Sequence, residues 1–225
     1  MLSIENEGAS IVILGSFNPS IFQPRWLASL DLIRPEEAEI ATIAIIREEV
    51  ADFTTKWFRL QVLQNRFLLQ LLDATHFGPI RDLAAGIFRL LPHTPATRLG
   101  LARWFHFPMD SVEAWHDVGH RLAPKQWWNP YMEVAGLRSM TIQGKRPNSE
   151  GTLFVKIEPS IIIQPGVFIE VTEEFSAAET SGGVASATWV PGRLDKDWEA
   201  IMKYAEDVSK NLLTAVLKGS DDSAH

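Results

Sequence analysis

The stretch 57–72 alternates between apolar and polar side chains, and this pattern restricts the fold more than any other feature of the chain. In an extended strand, alternation places the apolar side chains on one face and the polar ones on the other. The apolar set is Phe58, Leu60 and Val62, and the polar set is Arg59 and Gln61. A polar turn at 64–66 leads to a second apolar run over 67–72. The pattern predicts an antiparallel hairpin with one covered and one open face.

An amphipathic helix follows this hairpin. Pro79 suits the first turn of a helix, and Pro92 ends it. The apolar stripe between them consists of Ile80, Leu83, Ala84, Ile87, Phe88 and Leu91. Because a one-sided sheet and a one-sided helix bury their apolar faces against each other, we predict an α+β fold with helices packed on one face of a curved antiparallel sheet.

The rest of the chain reads as further strands and helices. The stretch 39–46 also fits the start of a helix, but its four isoleucines and one threonine favour a strand. We predict strands at 10–17, 39–46, 97–107, 136–144, 152–158 and 161–175, the last broken at Pro165-Gly166. We predict a short helix at Pro24, a helix over 110–122 with Asp110 and Glu113 as a capping box, and a final helix from Asp195 to Gly219. The stretch 177–191, rich in Ser, Gly, Thr and Ala, indicates a loop or mobile flap.

These elements repeat in order along the chain. Residues 1–92 and 93–219 each read as strand, helix, further strands, helix, and 220–225 is expected to be a disordered tail. This order predicts an internal duplication, with two β-α-β(n)-α halves joined into one long sheet as a single packed unit. The element order resembles the tandem TATA-binding-protein-like fold, and a resemblance of topology implies no function.

The composition limits the class of protein. The chain has 225 residues, 46% apolar and 22% charged, which is typical of a globular protein. It contains no cysteine, which excludes disulfides, thiolate metal ligands and thiol nucleophiles. No stretch has the composition of a signal peptide or a membrane span, so we expect a cytoplasmic protein with no membrane partner.

Charge is unevenly distributed around a net value of −7. Residues 81–146 carry nine Lys or Arg against five Asp or Glu, whereas both flanks are acidic. Nucleic-acid binders usually have a larger basic excess, because phosphate contacts supply much of their affinity. A nucleic-acid-associated protein that uses this basic middle third is therefore an alternative rather than the leading hypothesis.

Glu113, His116 and His120 have the spacing of metal ligands on one helix face. Two imidazoles four residues apart can bind one zinc ion, with a carboxylate as third ligand. The metalloprotease motif, however, requires Glu directly after the first His, and here that residue is Asp117. A metal-dependent hydrolase that uses His116 and His120 is thus a second alternative. The favoured explanation is two ordinary histidines at the rim of an amphipathic helix, with no metal ligands.

The tryptophans suggest a binding surface. The chain has eight, and Trp127 and Trp128 are adjacent between Pro124 and Pro130. Adjacent tryptophans in a loop cannot easily both face a core, so one is expected to anchor an interface, unless both cap the end of the sheet. The candidate binding residues are Trp127, Trp128, Arg121, Lys125, Arg103 and Trp104.

Three segments of the chain look like those of uncharacterised, sporadically distributed bacterial proteins. The segments are 13–19 (ILGSFNP), 60–67 (LQVLQNRF) and 93–101 (HTPATRLGL). This resemblance covers most of the chain and implies a bacterial origin. It supplies no catalytic residues.

No Walker loop, nucleophile elbow or dinucleotide-binding motif is present in the sequence. We therefore expect a non-enzymatic protein-binding or assembly module that needs no cofactor. Its contact surfaces would be the open sheet face and the Trp-rich loop. The expected partner is another protein or a second copy in a homodimer, with nucleic acid a weaker candidate. The predicted open face carries mixed charge: Arg59, Gln61, Lys156, Glu158, Glu170 and Thr172.

Overall fold

The computed structural model describes residues 2–177 and 185–219, and within them the chain forms nine strands and five α-helices. The strands are β1 (Asn6–Gly15), β2 (Thr42–Ile46), β3 (Val50–Thr54), β4 (Phe58–Leu63), β5 (Arg66–Leu71), β6 (Ala96–Pro108), β7 (Met140–Gly144), β8 (Thr152–Pro159) and β9 (Gly166–Ser176). The helices are α1 (Pro24–Ser29), α2 (Pro35–Glu39), α3 (Phe77–Leu90), α4 (Val112–Leu122) and α5 (Trp189–Lys218). The predicted α+β class is confirmed.

All nine strands form one open antiparallel sheet in the order β2-β3-β4-β5-β1-β6-β9-β8-β7. The predicted hairpin is β4 and β5, paired from Phe58↔Leu71 to Leu63↔Arg66. Its burial alternates as the sequence pattern requires. The internal duplication stays a prediction, because the first half contributes five strands to the sheet and the second contributes four.

Two apolar clusters lie on the covered face of the sheet. The first packs β1, β3, β4 and β5 against α3 and the beginning of α5, where Trp198 is almost completely buried. The second packs β8, β9 and the end of β6 against α4 and the later part of α5. The long helix α5 therefore supports both ends of the sheet. Side chains of the opposite parity, such as Val12 and Leu68, remain partly exposed on the open face.

Several predicted boundaries are wrong, each for a local reason. The stretch 39–46 divides between the end of α2 and β2. Helix α4 is capped by Ser111 rather than Asp110, because the Ser111 hydroxyl accepts from the amide of Ala114 at 3.1 Å. Helix α5 begins at Trp189 rather than Asp195, since Pro191 in the first turn needs no amide acceptor. Strand β3 was not predicted.

The remaining predicted segments are shorter than expected or fall partly outside the described residues. Strand β7 begins at Met140 rather than at residue 136, and β9 begins at Gly166 after a cis peptide bond between Gln164 and Pro165. Much of the predicted flap at 177–191, and the predicted tail at 220–225, lie outside the part of the chain that the structure describes.

Candidate binding surface

Five large apolar side chains between residues 127 and 134 are exposed, and we call this stretch the aromatic segment. The exposed fractions are 66% for Trp127, 48% for Trp128, 83% for Tyr131, 50% for Met132 and 94% for Val134. The sequence predicted that one of the two tryptophans is exposed, and in the structure both are exposed. Soluble proteins rarely leave so many neighbouring apolar groups in water unless they bind something.

Short backbone hydrogen bonds hold the aromatic segment in this conformation. After α4 ends at Leu122, residues Lys125–Trp127 form a 3-10 turn. The amide of Trp128 donates to the carbonyl of Lys125 at 2.8 Å, and the amide of Tyr131 donates to the carbonyl of Trp128 at 2.8 Å. Because consecutive turns satisfy the backbone locally, the side chains are free to point away from the core.

A small cavity lies between the end of the aromatic segment and α4. It measures about 150 Å³ and lies between α4, residues 134–137 and the ends of β8 and β9. Ala135 is buried there, and Lys125, His116 and His120 also line the cavity. The buried Ala135 anchors the chain where it leaves the aromatic segment and approaches the edge strand β7.

The alternative metal ligands lie on α4, but they are not arranged as a metal site. The rings of His116 and His120 stack with centroids 5.9 Å apart. The pKa of Glu113 is lowered by a hydrogen bond from its own backbone amide and by one from Ser111, both at the start of α4. In the described part of the chain, no three His, Asp or Glu side chains come together in a way that could hold a metal ion.

Two of the predicted binding arginines support helix α5 instead of facing a partner. Arg103 lies on the covered face of β6, where it donates to the carbonyl of Met202 at 2.7 Å and pairs with Glu7 at 2.6 Å and Glu206 at 3.1 Å. Arg121 donates to the carbonyl of Val216 at 2.6 Å. Both side chains therefore stabilise the position of α5.

Trp104 lies on the open face, away from the other candidates. Its indole covers Gly8, where an added Cβ would come within 2.2 Å of the ring, so only glycine fits at that position. His106 lies beside it, with ring centroids 5.6 Å apart, and binds the hydroxyl of Ser160 at 2.8 Å. Burial lowers the pKa of His106. Among the predicted binding residues, the structure thus brings together Lys125, Trp127 and Trp128.

The open face is concave at its centre and electrically balanced. A hollow of about 380 Å³ is lined by apolar groups from β1, β5 and β6 and by charged groups of both signs. The lining residues with charge are Arg66, Arg98, Glu170 and Glu174. Burial raises the pKa of Glu170. Toward the margins, Arg59 binds Asp52 at 2.6 Å and Lys156 binds Glu158 at 2.9 Å.

The predicted strand over 136–144 forms the edge strand β7, whose exposure was not predicted. Thr141, Ile142, Gln143 and Gly144 are all exposed, and among the described residues β8 is the one strand that pairs with β7. The sequence of β7, MTIQG, indicates an unprotected edge, because it contains none of the charges or prolines that usually protect an edge strand.

No protein-family model matches the sequence. No curated protein matches it either. Within the described residues, no helix combines the length and the apolar character that crossing a membrane requires.

Proposed function

We propose that this protein is a non-enzymatic binding module that holds a protein partner through the aromatic segment. The observation that carries this proposal is the exposure of five large apolar side chains within residues 127–134. Interface hot spots are enriched in Trp and Tyr, and a few such residues usually supply most of the binding energy. A surface of this composition fits a protein partner.

The charge distribution supports a protein partner over nucleic acid. Arg103, Arg121 and Arg146 from the basic middle third are engaged in contacts inside the fold, and Arg146 binds the buried Glu173 at 2.9 Å. Such arginines cannot neutralise phosphates without leaving their partners. The charges at the margins of the open face are also paired with each other, so we assign the main contact to the aromatic segment.

We further infer that residues 1–92 and 93–219 arose by duplication, in a bacterial cytoplasmic protein. The strand order supports the duplication. The first strands of the two halves, β1 and β6, are antiparallel neighbours at the centre of the sheet, and the last strand of each half lies beside its first. The tandem TATA-binding-protein-like topology remains a comparison of element order without functional content.

The double variant Trp127→Ala/Trp128→Ala tests the proposed function. We expect about thirtyfold weaker partner binding, from a hot-spot loss of about 2 kcal/mol, with the unfolding free energy changed by no more than about 0.5 kcal/mol per exposed site. Sedimentation velocity measures self-association, and quantitative affinity capture from the host extract compares the captured proteins.

The matched control is Leu72→Ala/Leu90→Ala, which removes two half-exposed apolar side chains elsewhere on the surface. The proposal predicts that a partner, or self-association, is lost in the tryptophan variant and retained in this control. Equal capture and equal sedimentation of all three proteins would show that the aromatic segment binds no partner.

A further inference from the structure

The edge strand β7 has the properties of a strand that accepts another strand. It pairs with β8 without interruption from Met140↔Ile157 to Gly144↔Leu153. Its outer backbone groups have no neighbouring strand in the described part of the chain. Proteins usually protect such an edge with charges, proline or a bulge, because unpaired amides and carbonyls readily bind an extended chain.

The opposite edge of the same sheet differs in this respect. Strand β2 is also uncharged, but its register with β3 shifts between Ile43 and Ile45. Such a bulge increases the local twist and disrupts the pairing surface. The sheet therefore has one irregular edge and one regular edge, and β7 is the regular one.

Cationic side chains flank β7 at both ends. Arg138 precedes the strand and Lys145 follows it, and both are exposed. Within residues 2–177 and 185–219, neither forms a salt bridge. Between them, Ile142 presents an apolar side chain that is 56% exposed. The edge thus has an apolar centre between two positive ends.

We propose that β7 binds an extended segment of the protein partner as an additional strand, with an apolar residue beside Ile142 and acidic residues at both ends. This inference rests on the proposed function and specifies the chemistry of the partner. Main-chain hydrogen bonds supply affinity in this mode of recognition, and the alternate side chains supply specificity.

The face on which Ile142 lies links this edge to the aromatic segment. Ile142 pairs with Val155, which pairs with the buried Val171, so all three side chains share the face of the sheet that the helices cover. Helix α4, from whose end the aromatic segment continues, packs in the same apolar cluster. A bound segment would therefore place its inward side chains on the side from which the aromatic segment arises.

A second copy of the chain is a poorer occupant of this edge. In a two-fold pairing centred on Ile142, Arg138 of each copy lies directly opposite Arg146 of the other. Like charges in neighbouring cross-strand positions are destabilising. Charge complementarity therefore favours an acidic segment over self-pairing.

Two synthetic peptides test this inference: acetyl-DETVTVTED-amide and its basic counterpart acetyl-KKTVTVTKK-amide, each carrying a fluorophore. Fluorescence anisotropy is expected to show tighter binding of the acidic peptide, by about tenfold at low salt. Hydrogen exchange at 140–144 is expected to slow when that peptide binds, because the outer amides become hydrogen-bonded.

The variant Arg138→Glu/Lys145→Glu is expected to reverse the preference, so that the basic peptide binds more tightly. The matched control Arg25→Glu/Lys56→Glu makes the same change in net charge at two exposed positions far from β7 in sequence and is expected to keep the wild-type preference. Reversal in both variants would mean that net charge alone decides, and would overturn the inference.

Absence of binding of the acidic peptide to the wild type at about 1 mM would also overturn it. The inference would also be overturned if the wild type self-associates and its slow hydrogen exchange at 140–144 disappears on dilution, because a second copy of the chain would then occupy the edge. If the charge-reversed variant keeps the native partner while Trp127→Ala/Trp128→Ala loses it, the edge inference fails and the proposed function stands. If the tryptophan variant also keeps the partner, the proposed function fails.

Discussion

Arg146→Ala is expected to destabilise the protein strongly, because it leaves a buried carboxylate without its cation. Glu173 has no exposed surface, and Arg146 donates to it at 2.9 Å from the loop between β7 and β8. Ser149, in the same loop, donates a further hydrogen bond to this carboxylate. A side chain at Gly151 would collide with Glu173, so the loop and the carboxylate fit closely.

The size of the effect follows from this burial. Removing one partner of a buried ion pair costs about 3–5 kcal/mol. The Arg146 side chain is 14% exposed and the Ser149 hydrogen bond remains, so we expect the lower end of this range. For a protein of this length, about 3 kcal/mol corresponds to a melting temperature lower by roughly 6–12 °C.

Urea unfolding followed by circular dichroism measures this change, with Arg47→Ala as the control at an exposed arginine that has no salt bridge in the described residues. In a Glu173→Gln background, the same arginine substitution is expected to cost no more than about 1 kcal/mol, because no buried charge remains to be neutralised. A loss below about 1 kcal/mol in both backgrounds would refute the argument that the pair supports this loop.

Four further variants test other parts of the structure. Ile201→Asp or Leu83→Asp is expected to prevent folding, because each buries an unpaired charge against the sheet, and an unchanged melting transition would contradict the packing described above. His116→Ala/His120→Ala is expected to change the unfolding free energy by roughly 0.5 kcal/mol or less, and zinc bound stoichiometrically by the wild type alone would restore the hydrolase alternative. Burial lowers the pKa of His106 in the folded protein below the value of 6.5 that applies to the unfolded chain. Between these two pKa values the unfolded chain binds more protons at this histidine than the folded protein does, so the free energy of unfolding decreases as the pH is lowered. His106→Gln is therefore expected to reduce the difference between urea midpoints at about pH 7.5 and 5.5, and an unchanged difference would exclude His106 as its source.

Elements with a strong local pattern could be predicted from the sequence, and elements defined by partners distant in sequence could not. Helix α3 and the hairpin of β4 and β5 follow directly from apolar spacing. Strand β3 was missed because Asp52 interrupts its apolar run. In the fold, Arg59 and Gln61 on β4 donate to that carboxylate at 2.6–2.9 Å, and the Arg59 hydrogen bond lowers its pKa.

The residues of the candidate site also divide into those that could be predicted from the local sequence and those that could not. The prolines around Trp127 and Trp128 predicted a loop, which the structure confirms, and both side chains are exposed. Arg103 was assigned to the same surface because it belongs to the basic middle third of the chain, as the tryptophan pair does. Position in the strand gives the better criterion. Arg103 lies two residues from both Leu101 and Phe105, so all three side chains share the covered face of β6.

The two edges of the sheet are supported by different means, and this difference favours β7 as the binding edge. At the β2 edge, helix α2 ends shortly before the strand, and a register shift follows within it. At the β7 edge, the supporting interactions lie on either side of the strand in sequence: the buried Ala135 beside α4 before it, and the Arg146–Glu173 pair after it. Interactions thus hold the chain on both sides of β7, and in residues 2–177 and 185–219 no strand pairs with its outer backbone. A regular, open edge held in this way loses little conformational entropy when a further strand binds.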